Sequence, residues 1–146
     1  MKKLLFNPSN ITSHSTLALI LRLILGIVFF AHGAQKVLGW FGGNGLEGTV
    51  NWMNGQLGVP LFLAYIACFV EFLGGIGLIL GLFTRVWAIL IAVNMLVAII
   101  TVHSGFFNPN GIEFPLTLGV LAIACFFIGP GNYSIDSNFS KSNLKE

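Results

Sequence analysis

Four apolar runs, broken by a handful of ionisable residues, organise the chain. The first covers about Leu17 to Leu38 and contains Arg22, His32 and Lys36; the second, Leu61 to Phe83, carries one charge, Glu71. The third, about Val86 to Val102, is uncharged but holds Asn94, and the fourth, about Phe114 to Ile128, has no charge at all. A bilayer core of about 30 Å takes roughly 17–25 helical residues. The first two runs are long enough, and the other two must borrow neighbours such as Thr101 and Pro115. Within lipid each backbone N–H and C=O needs a partner inside its own segment, which selects helices. The expected fold is therefore all-α, an integral-membrane antiparallel bundle of four helices at about 17–38, 61–83, 86–104 and 113–129. They form one transmembrane domain over 17–136, between tails at 1–16 and 137–146.

The connections carry their own pattern. Between Trp40 and Pro60, a flexible Gly42-Gly43-Asn44-Gly45 stretch precedes Leu46, Val50, Met53 and Leu57 at helical spacing. Trp40 and Trp52 belong to the residue type that favours the membrane interface. The segment predicts a short amphipathic helix on the outer surface, either lidding the bundle or simply resting there. Asn108-Pro109-Asn110-Gly111 is a turn signal, with proline pre-setting one backbone angle and glycine free to follow. Ala31-His32-Gly33 and Val102-His103-Ser104-Gly105 stand at corresponding ends of two outgoing helices. Two hairpins related by an axis along the membrane normal produce such an echo.

Composition strengthens the membrane reading. The 146 residues are 55% hydrophobic and 8% charged, against about 25% charged in a soluble domain. Mean hydropathy is +0.88. A net charge of +2, dispersed along the chain, gives no nucleic-acid footprint. No Gly-rich phosphate loop, zinc spacing or Ser/His/Asp arrangement competes. Lys2, Lys3, Arg85, Lys141 and Lys145 fall in the tails or in the loop after the second helix, which predicts both termini in the cytoplasm. On that topology the triplets at Asn10, Asn132 and Asn138 lie on the side where no glycan is added. A cleaved leader is not expected, because its basic region would be about 16 residues long and Arg22 would interrupt its core.

Candidate chemistry concentrates in six residues: Arg22, His32, Lys36, Glu71, His103 and Glu113. An ionisable group at the centre of a membrane helix costs roughly 2.5–3.5 kcal/mol on insertion scales, so such groups face a protein interior and mark a site. With neutral histidines the set sums to zero, Arg22 and Lys36 against Glu71 and Glu113. His32 and Lys36 are one turn apart, and Arg22 projects within roughly 40° of Lys36, so the three basic groups share a stripe with Gly26 and Gly33. Arg22 either joins the centre or snorkels to the headgroups. Glu71 cannot snorkel; it is a proton donor or acceptor, an anchor for a polar head group, or half of an ion pair locking two helices. Gly74, Gly75, Gly77 and Gly81 after it read as a close-packing flank, with Gly77 and Gly81 as a small-xxx-small pair. Asn94 reads as an interhelical hydrogen bond. Cys68 and Cys125 fall at similar expected depths, where isolated cysteines act as small apolar packers. No metal site is expected.

These residues resemble a known family. Leu21-Arg22-Leu23-Ile24-Leu25-Gly26 and Ala31-His32-Gly33-Ala34-Gln35-Lys36 are similar to the first helix of the DoxX family of small bacterial membrane proteins. The likeness continues through Phe69-Val70-Glu71-Phe72-Leu73-Gly74-Gly75, Gly81-Leu82-Phe83-Thr84-Arg85, Asn94 to His103, and Gly111-Ile112-Glu113. It closes on Gly129-Pro130-Gly131-Asn132-Tyr133-Ser134-Ile135-Asp136. The resemblance implies a four-helix protein of the bacterial plasma (inner) membrane, with members linked to quinone and catechol detoxification or redox stress. It leaves open whether this chain catalyses anything; if it does, it is an accessory membrane subunit of an oxidoreductase. The expected role is a membrane subunit of a quinone-linked redox system, with His32, Lys36 and Glu71 serving the quinone carbonyl and the glycine flank admitting its tail. No haem, flavin or iron–sulfur pattern is evident, so a soluble or membrane partner carries the electrons. The lipid bilayer, a redox partner protein and a second copy of the chain are the expected partners; nucleic acid is not. The alternatives are a small proton- or anion-coupled transporter and a structural scaffold.

Overall fold

The computed structural model describes residues 12–142, with side chains for 14–139. Lys2, Lys3, Asn10 and Lys145, and the side chain of Lys141, lie outside the described part. The helices are α1 (Thr12–Val37), α2 (Gly45–Leu57), α3 (Leu61–Leu80), α4 (Thr84–Thr101), α5 (Glu113–Ile128) and α6 (Ile135–Ser142), with a single 3-10 turn at Trp40–Gly42. No strand occurs among the described residues. Among the described residues three helices are long and apolar enough to cross a membrane, His14–Val37, Leu61–Leu80 and Thr84–Thr101; α5 is apolar but has 16 residues.

The bundle forms from two antiparallel pairs. α1 packs chiefly on α3 and α4 on α5, while α3 against α4 and α1 against α5 close the ring. α1 shows why: Ala18, Arg22, Leu25 and Phe29 point inward at helical spacing, and Leu17, Ile20, Ile24 and Ile27 point out. Leu73, Val93, Leu96, Ile100, Val120 and Phe127 are likewise exposed on the outside, an apolar belt that only lipid can cover without cost.

Glycine sets the closeness of α1 and α3. A methyl group on Gly33 would lie 2.4 Å from the Phe72 backbone, and one on Gly75 2.3 Å from the Phe30 nitrogen. Backbones in that proximity gain packing energy that apolar side chains cannot find in lipid. The glycine flank of α3 is therefore closed by α1 and, at Gly77, by Trp87; it is not the expected opening for a tail.

The bundle has two unlike ends. At the lid end, α2 packs on α1 and α3, burying Val50 over Ala64 and Cys68, with Leu46 and Met53 beside them. The predicted amphipathic helix is present and its apolar face is the expected one. At the terminal end, α1 begins, α3 turns into α4, and the closing segment folds back. Gly81 stops α3 three residues earlier than expected: at φ +67 it turns the chain out, and the Leu82 N–H returns to the Gly77 carbonyl at 2.9 Å. Gly81 is thus a cap, and the expected Gly77/Gly81 packing pair does not form. α1 starts at Thr12, inside the expected tail, and α6 occupies part of the second expected tail. Cys68 belongs to the small cluster under α2, whereas Cys125 lies in the main core with Leu25, Leu78 and Ile91. They are free and do not sit at matching depth.

Candidate functional site

Lys36 lies on the last turn of α1 and Glu71 near the middle of α3. Gly33, one turn before Lys36, draws the two helices together at Phe72, the residue after Glu71. The Lys36 ammonium consequently sits 2.6 Å from both Glu71 carboxylate oxygens. From α4, the Asn94 amide Nδ2 donates to Glu71 Oε1 at 3.1 Å. Glu71 is 4% exposed, while the Lys36 side chain keeps 35% of its surface open. An ammonium has three N–H donors and an amide two. With the bonds just described, Lys36 retains one donor and Asn94 another, beside a carboxylate that still has unused lone pairs.

These groups open onto a cavity of about 470 Å³, inside the size range of small-ligand pockets. Lys36, Glu71, Asn94, His32 and His103 all line it, and the remaining wall is largely apolar, including Phe29, Met95 and Leu118. Thr49, Trp52 and Met53 of α2 cover it, and Thr49 is tied to α1 by its hydroxyl donating to the Lys36 carbonyl at 3.5 Å. His103 is held by its own helix end: its Nδ1 is 3.0 Å from the Ala98 carbonyl. A carbonyl only accepts, so Nδ1 carries the proton and Nε2 of the neutral ring is an acceptor. His32 is exposed, its ring 5.9 Å from that of Phe114. Among the described residues no group of three His, Cys, Asp or Glu side chains comes together as a metal ion requires.

Two of the six sequence candidates are elsewhere. Arg22 shares the stripe of Lys36 but lies 14 residues away, about 21 Å along the helix. It neither snorkels nor joins the centre: it is fully buried and donates to the Leu78 and Ile79 carbonyls at 2.8 and 3.2 Å and to that of Tyr133. Those are two carbonyls of the last turn of α3, of which Leu78 also accepts the Gly81 N–H, and one from the closing segment. Glu113 sits at the start of α5, where its carboxylate accepts the Phe107 N–H and fixes the turn between α4 and α5. The expected zero-sum centre of four charges is a single pair, Lys36 with Glu71.

The closing segment has a function in the fold that sequence reading missed. Asp136 is fully buried and accepts the Phe83 N–H at 2.8 Å and the Thr84 N–H at 2.9 Å, capping α4 from 52 residues downstream. Its own N–H donates to the Gly81 carbonyl at 3.0 Å. The bond holds Phe83 at φ +51, a left-handed conformation that a side chain makes costly.

Helices clad in apolar side chains around a buried ion pair define a multi-pass membrane protein. A family model described as DoxX matches residues 17–104, and the chain belongs to the DoxX family. A Bacillus subtilis (strain 168) protein named "Putative oxidoreductase CatD" is 42% identical over 84 residues, 58% of this chain and 58% of that one. "Inner membrane protein YqjF" of Escherichia coli (strain K12) is 30% identical over 128 residues, covering 84% of this chain and 92% of that one. A Haemophilus influenzae protein without a functional name is 33% identical over 127 residues, 83% of this chain and 89% of that one. No solved structure matches the chain. Family, apolar helices and relatives together make it a multi-pass protein of the inner membrane.

Proposed function

We propose that the protein is a membrane component of a quinone-linked redox system and binds a quinone-type head group at the Lys36–Glu71–Asn94 centre. The observation that carries this reading is the cavity itself: an apolar chamber on which a few polar groups with spare hydrogen-bonding capacity converge. The spare N–H groups of Lys36 and Asn94 suit a carbonyl oxygen. Glu71, paired yet next to open volume, is the group from which or to which a proton moves; His103 Nε2 offers a second acceptor. A redox partner protein carries the electrons. The name of the Bacillus subtilis relative is in keeping with this role. On the charge distribution, α1, α3, α4 and α5 all span, both termini are cytoplasmic, and the cavity lies in the outer half.

A transport path is less well supported. Beyond Phe29, Met95 and Leu118 the chamber meets the packed core of Leu25, Leu78, Ile91 and Cys125, and the far end carries the Arg22 and Asp136 locks.

Native mass spectrometry of the protein extracted gently from its own membrane, beside Glu71→Gln and His32→Ala, tests the proposal. A stoichiometric quinone in the wild type that is missing from folded Glu71→Gln is the expected result. Equal quinone in all three, or none in any, would sink the reading. Proton-coupled flux into liposomes, lost on Glu71→Gln, would replace it with the transport alternative.

A further inference from the structure

The cavity has a side exit. Leu63 and Ile66 of α3, with Leu90, Val93 and Val97 of α4, line the chamber and are also exposed on the outside of the bundle. The chamber therefore opens through the α3/α4 seam into the apolar belt. A second, shallower groove of about 250 Å³ begins where the chamber ends, sharing Ile66 and Val70 with it. It runs past Tyr65, Phe69 and Leu73 to Trp87. On α3 these residues span Tyr65 to Leu73, about 12 Å of helix. The lining of the groove presents no polar surface, whereas the chamber holds the Lys36–Glu71–Asn94 centre, with His32, His103 and Thr49 also on its wall. Trp87 forms the closed end of the groove because its indole is wedged against Gly77 of α3.

Resting on the head-group reading above, we infer that the ligand is a membrane-resident quinone with a long apolar chain. It enters from the lipid through the α3/α4 seam and lays its chain in the Ile66–Trp87 groove. The continuity of groove and chamber selects this occupant over an ordinary lipid chain, which would have no reason to end at a buried ion pair. A tail-less quinone would fill the chamber and leave the groove empty. Transferring an apolar chain from lipid to protein gains little hydrophobic energy. The groove therefore acts through shape and by orienting the ring, and chain length should alter geometry more than affinity.

The test uses the full chain in lipid nanodiscs and a benzoquinone bearing a ten-carbon chain with a terminal diazirine. After photolysis, peptide mapping should find label on Leu73–Leu80 or Val86–Leu90. Excess of the same quinone without the diazirine should remove it at least fivefold. Ile66→Trp, filling the junction, should abolish that label; Phe62→Trp, on the exposed face of α3 and outside both cavities, should leave it. Competed label on α2 instead would overturn the groove, because the chain would then leave under the lid. Label at the groove that excess quinone does not reduce would also overturn it, marking an ordinary lipid site. A tail-less benzoquinone that binds wild type but not Glu71→Gln, with no competed label on α3 or α4, would discard the groove and keep the head-group site. Failure of both quinones to bind would remove the two together.

Discussion

The two ends of α1 each bury a basic residue on the same helical stripe, and they are put to opposite uses. Arg22 at the terminal end is fully buried and bound to backbone carbonyls. Lys36 at the lid end meets a carboxylate, remains one-third open and borders a chamber. A guanidinium whose terminal nitrogens are bound to three backbone carbonyls is a fastener. An ammonium with a donor to spare, beside a carboxylate that borders open volume, can exchange partners. Residue type and periodicity are alike at both positions; the surroundings make the difference.

That contrast is easiest to break at the terminal end. Arg22→Met should cost the most, about 3–5 kcal/mol, because the Ile79 and Tyr133 carbonyls lose the guanidinium in a buried place and Leu78 keeps only the Gly81 N–H. Thermal unfolding in detergent would show it, while the quinone content of the folded fraction stays at the wild-type level. Loss of ligand from a folded Arg22→Met protein would mean that the two ends are not independent. Glu71→Gln should destabilise less, about 2 kcal/mol, since Lys36 is open enough to rehydrate. Its quinone affinity should nevertheless fall at least about tenfold, equivalent to about 1.4 kcal/mol. A variant with unchanged binding would reduce the pair to a second fastener.

Smaller changes sharpen the picture. Asp136→Asn should cost about 1–1.5 kcal/mol through the weakened α4 cap. In that background Phe83→Gly should recover about 1 kcal/mol by removing the left-handed strain; no recovery would show that φ at Phe83 is not what the cap maintains. Asn94→Leu removes one hydrogen bond on Glu71, about 1 kcal/mol. It should weaken quinone binding several-fold while melting almost normally. Equal losses in melting and binding would make Asn94 structural.

Much of this architecture was legible from local pattern. Hydrophobic runs located α1, α3, α4 and the shorter α5, and the Leu46, Val50, Met53, Leu57 spacing located α2 with its buried face. The readings that failed were those needing distance. Arg22 shares the angular stripe of Lys36 but lies about 21 Å along the helix, and neither of the two places expected for it, the centre or the headgroups, is where its partners are. Gly81 was read inside a helix because apolarity continues through Leu82 and Phe83, yet its left-handed angle ends α3 there. Asp136 gave no local sign of capping a helix start 52 residues earlier. Its only visible hint was likeness: Gly81–Arg85 and Gly129–Asp136 both belong to the segments resembling the family, and in the fold they touch.

What the chain determined by itself is the solvent it lives in and the helices it makes. Apolar surface and backbone hydrogen bonding are properties of single segments, summed residue by residue. Which ionisable groups meet, which are walled in by carbonyls and which face open volume was decided only by packing. Gly33 and Gly75 bring α1 within reach of α3, and that approach turns Lys36 and Glu71, 35 residues apart, into one pair. An electrostatic partner a few ångströms away is a property of two segments at once, so neither sequence stretch carries it alone.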